Sequence, residues 1–124
     1  MGSIRANTDR QQGRRSFEAQ SWLFMRLSGV ALVVLALLHF AITHITNDVV
    51  DTNYAFVAQR WNDPLWRVFD WALLALALLH GLNGVRWIVD DYVRNPKARR
   101  ITFAAVAGAS CLLFGAGTLT ILTF

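Results

Sequence analysis

The sequence is poor in cysteine, proline and charge. Its one cysteine, Cys111, excludes an intrachain disulfide framework, and its place inside an apolar run suits packing. Only Pro64 and Pro96 punctuate the 124 residues. Eight acids face twelve bases, charged residues make up 16%, and none falls in 27–47, 71–85 or 101–124, runs of 21, 15 and 24 residues. Set against 55% hydrophobic content and a mean hydropathy of +0.37, these gaps exclude an ordinary soluble domain. A small globule has too much surface for its remaining residues to cover such runs. Lipid must supply the missing partner. The polar–apolar alternation of a membrane β-barrel is absent. So is a short apolar leader with a small-residue cleavage site, so the first apolar run is expected to be retained.

About 20 apolar residues at about 1.5 Å each cross a hydrocarbon core of about 30 Å. The first and third runs are long enough outright. The middle one reaches that length if Asp70 and Arg86 at its ends turn toward the interfaces. The expected fold is an all-α membrane protein with three transmembrane helices, spanning about 22–46, 68–90 and 101–123 within an anchor of residues 16–124. Residues 1–15 form a polar extension without an apolar stripe, mobile unless a partner orders it.

Charge sets the orientation, because Lys and Arg near span ends stay on the cytoplasmic side. Residues 1–26 carry Arg5, Arg10, Arg14, Arg15 and Arg26 against Asp9 and Glu18. Residues 86–100 carry Arg86, Arg94, Lys97, Arg99 and Arg100 against Asp90 and Asp91. Between the first two spans, Arg60 and Arg67 are outnumbered by Asp48, Asp51, Asp63 and Asp70. The N-terminus and the second loop are therefore expected inside, and the first loop and Phe124 outside, in a multi-pass protein of the inner or cytoplasmic membrane. A pI of 10.2 does not point to nucleic acid, because the bases form two juxtamembrane clusters with no fold to present them.

Local signals place the helices. Ser16 is expected to cap the first, which continues through Phe17, Trp22 and Met25. Tyr54, Val57 and Trp61 recur at helical spacing and suggest a short surface helix between Thr52 and Trp61. Asp63 at an N-cap followed by Pro64 starts the next helix, which runs until Pro96 disfavours helix at Asn95. Ala107, Cys111 and Gly115 recur every four positions and would let another helix approach the third span closely. Trp22, Trp61, Trp66, Trp71 and Trp87 lie mostly at span ends, as an aromatic belt does.

Ionisable groups inside a span mark a site by default, and the second span has a row of them. At about 100° per residue from His80, Asn83 lies at about −60°, Gly84 at about +40°, Trp87 at about −20° and Asp91 at about +20°. One face thus carries an imidazole near mid-membrane and a carboxylate about 16 Å nearer the cytoplasm, with Tyr92 beside it. An imidazole there serves as a proton relay, an interhelical hydrogen bond or an axial ligand to haem iron. Gly81 and Gly84 would clear a flat surface for a macrocycle, or would simply serve helix packing.

The stretch from His80-Gly81-Leu82-Asn83-Gly84 to Asp90-Asp91-Tyr92-Val93 resembles the second transmembrane helix of the small hydrophobic membrane anchors of bacterial succinate dehydrogenase. In that family an Asp-Tyr pair follows a haem-ligating His by eleven and twelve residues, a spacing reproduced by His80, Asp91 and Tyr92. Arg26 near the inner end of the first span and the three-span topology agree, and the resemblance covers roughly residues 17–124. It implies that His80 ligates haem b iron together with a His of a companion membrane anchor, the second membrane-embedded partner in the complex. It further implies that Tyr92 donates a hydrogen bond to a quinone carbonyl while Asp91 holds or delivers protons. Arg26 would pair with a haem propionate or line the quinone pocket, with phosphate snorkelling as its plain alternative. Ser28 and Gly29 are close enough to contribute to that pocket. Arg86 faces another way and reads as a positive-inside anchor. His39, nearer the outer leaflet, is a candidate ligand for a second haem or an interhelical hydrogen bond, and His44 is interfacial.

The resemblance implies an anchor, inert alone, that docks flavoprotein and iron–sulfur subunits to the bilayer, with FAD and iron–sulfur clusters confined to those partners. It would take electrons from succinate oxidation to quinone. An anchor of a fumarate reductase, running the reverse reaction, and a haem-free scaffold or transporter component are the alternatives.

Overall fold

A computed structural model describes residues 2–124, with side chains from Thr8 onward. Met1 and the Arg5 side chain of the N-terminal basic cluster lie outside the described residues. The elements run α1 (Gly2–Phe40), a π-helical turn (Ala41–Ile45), a 3-10 turn (Val49–Asp51), α2 (Tyr54–Trp61), α3 (Pro64–Tyr92) and α4 (Pro96–Thr123). The protein is all-helical over the described residues, and three of its helices, Thr8–Ile45, Pro64–Tyr92 and Pro96–Thr123, are long and apolar enough to cross a membrane.

Helices α2, α3 and α4 each start on a side-chain cap, of which only Asp63 ahead of Pro64 is expected from the sequence. Asn53 Oδ1 accepts from the Phe56 N–H at 3.1 Å. Asp63 Oδ1 accepts from the Leu65 N–H at 2.9 Å, ahead of Pro64. Asn95 Oδ1 accepts from the N–H groups of Lys97 and Ala98 at 2.9 and 3.4 Å; a cap of this kind contributes about 1 kcal/mol. Ser16 is different. Helix α1 begins at Gly2 and passes through Ser16, because the Arg, Gln and Ala residues upstream favour helix and no proline stops it. At its C-terminal end α1 loosens into the π-helical turn, where the hydroxyls of Thr43 and Thr46 donate to the carbonyls of His39 and Ile42 at 2.9 Å each.

Helix α3 is central and packs against α1, α2 and α4. The interior is thin: among the described residues only Val89 and Ile121 are buried hydrophobics, whereas Ser21, Ser28 and Thr43 are buried polar residues. Leu27, Val30, Leu112 and Leu122 stand exposed, at no cost in a solvent as apolar as they are. Helices α3 and α4 come closest at Gly117, where a Cβ would lie 2.5 Å from Leu74 Cδ2. Trp71 Nε1 donates to Thr118 Oγ1 at 3.1 Å across the same seam. The small residues Cys111 and Gly115 do not serve this contact: Cys111 is exposed, and a Cβ on Gly115 would meet nothing within 4 Å.

Candidate functional site

The α1–α3 seam carries the polar groups of the membrane interior. His80 Nδ1 lies 2.7 Å from Ser28 Oγ, and Ser28 is 3% exposed. The hydroxyl also lies 3.4 Å from the Met25 carbonyl, one turn back on α1. Gly29 admits the ring, since a Cβ there would sit 3.5 Å from His80 Cε1. The two glycines of α3 do different things. Gly84 faces α1, where a Cβ would meet Met25 Cε at 3.5 Å, while a Cβ on Gly81 would meet nothing within 4 Å. Gly84 therefore serves helix packing, and only Gly81 leaves an open surface beside His80. The second nitrogen of His80, Nε2, has no hydrogen-bond partner among the described residues. No three His, Cys, Asp or Glu side chains converge among the described residues.

About two turns from His80 toward the N-terminal half of α1, Ser21 Oγ donates to Asn83 Oδ1 at 2.9 Å, and Arg86 Nε donates to the same oxygen at 3.3 Å. Arg86 continues outward through Nη2 to Ser21 Oγ at 3.0 Å and through both terminal nitrogens to the Glu18 carboxylate at 3.1 and 3.2 Å. Its guanidinium lies 5.1 Å from the Phe17 ring centroid. Arg86 is thus the hub of an α1–α3 network and not only the anchor expected from its position on the helix. The signal was present in the sequence. Glu18 and Ser21, and likewise Asn83 and Arg86, are each three apart on facing helices at the same depth. An open cleft of about 390 Å³, lined in part by Phe17, Ser21, Leu82, Asn83, Arg86 and Phe103, opens beside the network.

The other residues of interest are not gathered around His80. Asp91 and Tyr92, at the C-terminus of α3, are exposed, and their side chains make no hydrogen bond or ion pair among the described residues; Tyr92 is 82% exposed. Arg26 is exposed on α1, its guanidinium 4.1 Å over the Trp22 ring, and touches neither Ser28 nor His80.

At the opposite end of the bundle, beside α2, Asp70 is the convergence point. Its Oδ1 accepts from Arg60 Nη2 at 2.8 Å and lies 3.2 Å from His39 Nδ1; its Oδ2 accepts from Trp61 Nε1 at 2.8 Å. Arg60 and Asp70 side chains are 10% and 12% exposed. Arg60 also lies over Trp66 and Phe69, and Phe124 packs its ring on Tyr54 and Trp61. The arrangement pins α2 and the chain's end to α3. His44 stacks on Phe40 with ring centroids 4.5 Å apart, and its Nδ1 lies 2.7 Å from Thr43 Oγ1.

Comparison with known proteins agrees with this architecture. The family profile described as succinate dehydrogenase/fumarate reductase transmembrane subunit matches residues 2–117. The succinate dehydrogenase hydrophobic membrane anchor subunit of Archaeoglobus fulgidus is 32% identical over 83 residues, 65% of this chain and 68% of that protein. The protein of the same name from Rickettsia typhi is 26% identical over 97 residues, 77% of this chain and 73% of that protein.

Proposed function

This chain belongs to the succinate dehydrogenase/fumarate reductase transmembrane subunit family, and from that premise we propose that it binds haem b through His80 and helps form a quinone-reduction site at Asp91 and Tyr92. It is a multi-pass membrane anchor. In this reading it docks a flavoprotein and an iron–sulfur protein to the inner or cytoplasmic membrane beside a companion anchor, and electrons from succinate oxidation in those partners pass to quinone. Alone it catalyses nothing.

The observation that carries the haem reading is the state of His80. It is a single imidazole at mid-span whose Nδ1 is held by Ser28 and whose Nε2 has no partner among the described residues, beside the uncrowded Gly81. His80 of this chain and one His of the companion anchor would hold the haem iron between them. Haem bound there supplies a one-electron store beside the route to quinone. Ser28 would hold the His80 ring in position for it.

For the quinone, the exposure of Asp91 and Tyr92 supports contact with a ligand shared between subunits. Tyr92 Oη–H donates to a quinone carbonyl and orients the ring. Reduction to quinol takes two electrons from the partners and two protons, and the Asp91 carboxyl passes protons to the quinone oxygens from the inner aqueous side. The basic residues at both inner segments support an orientation with the N-terminus and the α3–α4 connection inside and α2 outside.

The test is the complex purified from its native membrane. A reduced-minus-oxidised difference spectrum is expected to show a b-type haem that disappears in His80→Ala while the flavoprotein still co-purifies. A wild-type complex without the b-type signal, or haem content unchanged in His80→Ala, would overturn the haem reading.

A further inference from the structure

We propose that Ser28 is the positioning residue of His80: its hydroxyl accepts the Nδ1 proton of the imidazole and thereby turns the Nε2 lone pair toward a metal. The inference rests on the reading of His80 as a haem ligand and specifies what makes that ligand usable.

Nδ1 and Oγ are 2.7 Å apart, short enough for a well-formed hydrogen bond. A neutral imidazole has one N–H and one lone pair, so the partner of one nitrogen decides what the other can do. If the serine donates to Nδ1, the ring proton sits on Nε2 and blocks it. If the serine accepts, Nε2 is free to coordinate. A hydroxyl can take either part because it carries one proton and two lone pairs, and Ser28 has somewhere else to send its proton. The Met25 carbonyl is 3.4 Å away on the same helix, the back-bond that helical serines commonly make. The donor chain then runs from His80 Nδ1–H to Ser28 Oγ, and from Ser28 Oγ–H to Met25 O. Coordination requires only that the ring proton sit on Nδ1.

The surroundings hold this pair in place. Ser28 is buried, so water does not compete for the hydroxyl, and Gly29 leaves the ring its close seat against α1. The charged groups of the seam, Glu18 and Arg86, are engaged with each other and with Ser21 and Asn83, and none of them bonds to His80. A hydroxyl is a weaker acceptor than a carboxylate, so it orients the ring without giving it imidazolate character. Partners of ligating histidines in this position typically change metal affinity about 10- to 100-fold when removed.

The experiment compares wild type, Ser28→Ala, Ser28→Thr and His80→Ala in the whole complex. Haem per flavin, the haem midpoint potential and the low-temperature EPR spectrum of the ferric haem are measured in each. Ser28→Thr is expected to match wild type in all three. Ser28→Ala is expected to assemble with the flavoprotein, to retain haem about tenfold less well, and to shift both the potential and the EPR signature, because the ring can then rotate. If Ser28→Ala does not assemble, Ser28→Cys, which keeps the volume with a poorer acceptor, is expected to show the same shifts. Loss of haem in His80→Ala together with unchanged potential and EPR in the assembled Ser28 variant would overturn this inference alone. Haem retained in His80→Ala would overturn the ligand reading beneath it.

Discussion

Glu18 and Arg86, 68 positions apart in the chain, meet fork to fork across the α1–α3 seam, with nitrogen–oxygen distances of 3.1 and 3.2 Å. The pair is unequal. Arg86 also bonds to Ser21 and Asn83 and is 19% exposed, whereas Glu18 is 54% exposed. The arginine is therefore the structural member, and the glutamate closes the open end of its network.

That asymmetry sets a first prediction. Arg86→Leu removes the bonds to Glu18, Ser21 and Asn83 together and is expected to weaken α1–α3 association more than Glu18→Gln, which leaves Arg86 its bonds to Ser21 and Asn83. Arg86→Lys should rescue little, because an ammonium cannot reproduce the planar fork. Thermal unfolding of the purified complex in detergent ranks the three. A Glu18→Gln variant less stable than Arg86→Leu would contradict the hierarchy.

Beside α2, Asp70→Ala strips the partner from an Arg60 side chain that is 10% exposed and whose Nε is already without an acceptor. Leaving a buried charge unpaired costs about 3 kcal/mol or more. The double change Arg60→Met and Asp70→Leu should recover most of that loss. Limited proteolysis of the segment 47–63 reads out whether α2 has come away from α3; equal sensitivity in wild type and Asp70→Ala would argue against the clamp.

The α3–α4 contact tests packing alone. An added methyl in Gly117→Ala would press on the end of Leu74, a flexible group, so the expected loss is about 1 kcal/mol. Gly117→Ile should cost about 1–3 kcal/mol. Combining Gly117→Ala with Leu74→Ala relieves the clash, and the double variant should show less than the sum of the two single losses. Simple additivity would mean that the two residues do not touch.

Tyr92→Phe should leave assembly unchanged, since its side chain is 82% exposed and bonds to nothing among the described residues. If Tyr92 holds a quinone carbonyl, quinone reduction by succinate falls about tenfold, the worth of one hydrogen bond of about 1.4 kcal/mol. Succinate oxidation with a soluble acceptor stays intact. A parallel loss of both activities would assign Tyr92 to assembly.

Orientation is open to labelling. On a Cys111→Ser background, Val50→Cys should react with an impermeant maleimide from outside intact cells, and Lys97→Cys only after the membrane is opened. The reverse pattern would invert the topology inferred from the basic clusters.

Much of this protein could be read along the chain, because the deciding physics is local. Charge-free runs are a property of consecutive residues, and they required lipid whatever the fold. Asp63 bonds an N–H group two residues ahead, so the start of α3 was visible in Asp63-Pro64; Asn53 and Asn95 act just as locally, but they do not stand out as start signals, and α4 begins at Pro96, ahead of the apolar run. Ser16 misled for the converse reason: a capping residue caps only where the helix has cause to begin, and α1 had begun upstream. The row of His80, Asp91 and Tyr92 on one helix was likewise a matter of spacing alone.

Which groups meet was decided only by the tertiary structure. Ser28 and His80 are 52 positions apart, and their contact depends on the rotation and crossing of two helices, to which a pattern of apolar residues that is nearly uniform around each helix gives no direction. The same crossing turned Gly84 inward to Met25 and left Gly81 open, gave Arg86 its partners on α1, and kept Arg26 on the outer face with Trp22. In lipid, apolar side chains are indifferent to which way they face. The few polar groups on each helix therefore set the register, and they do so only when the facing helix is present.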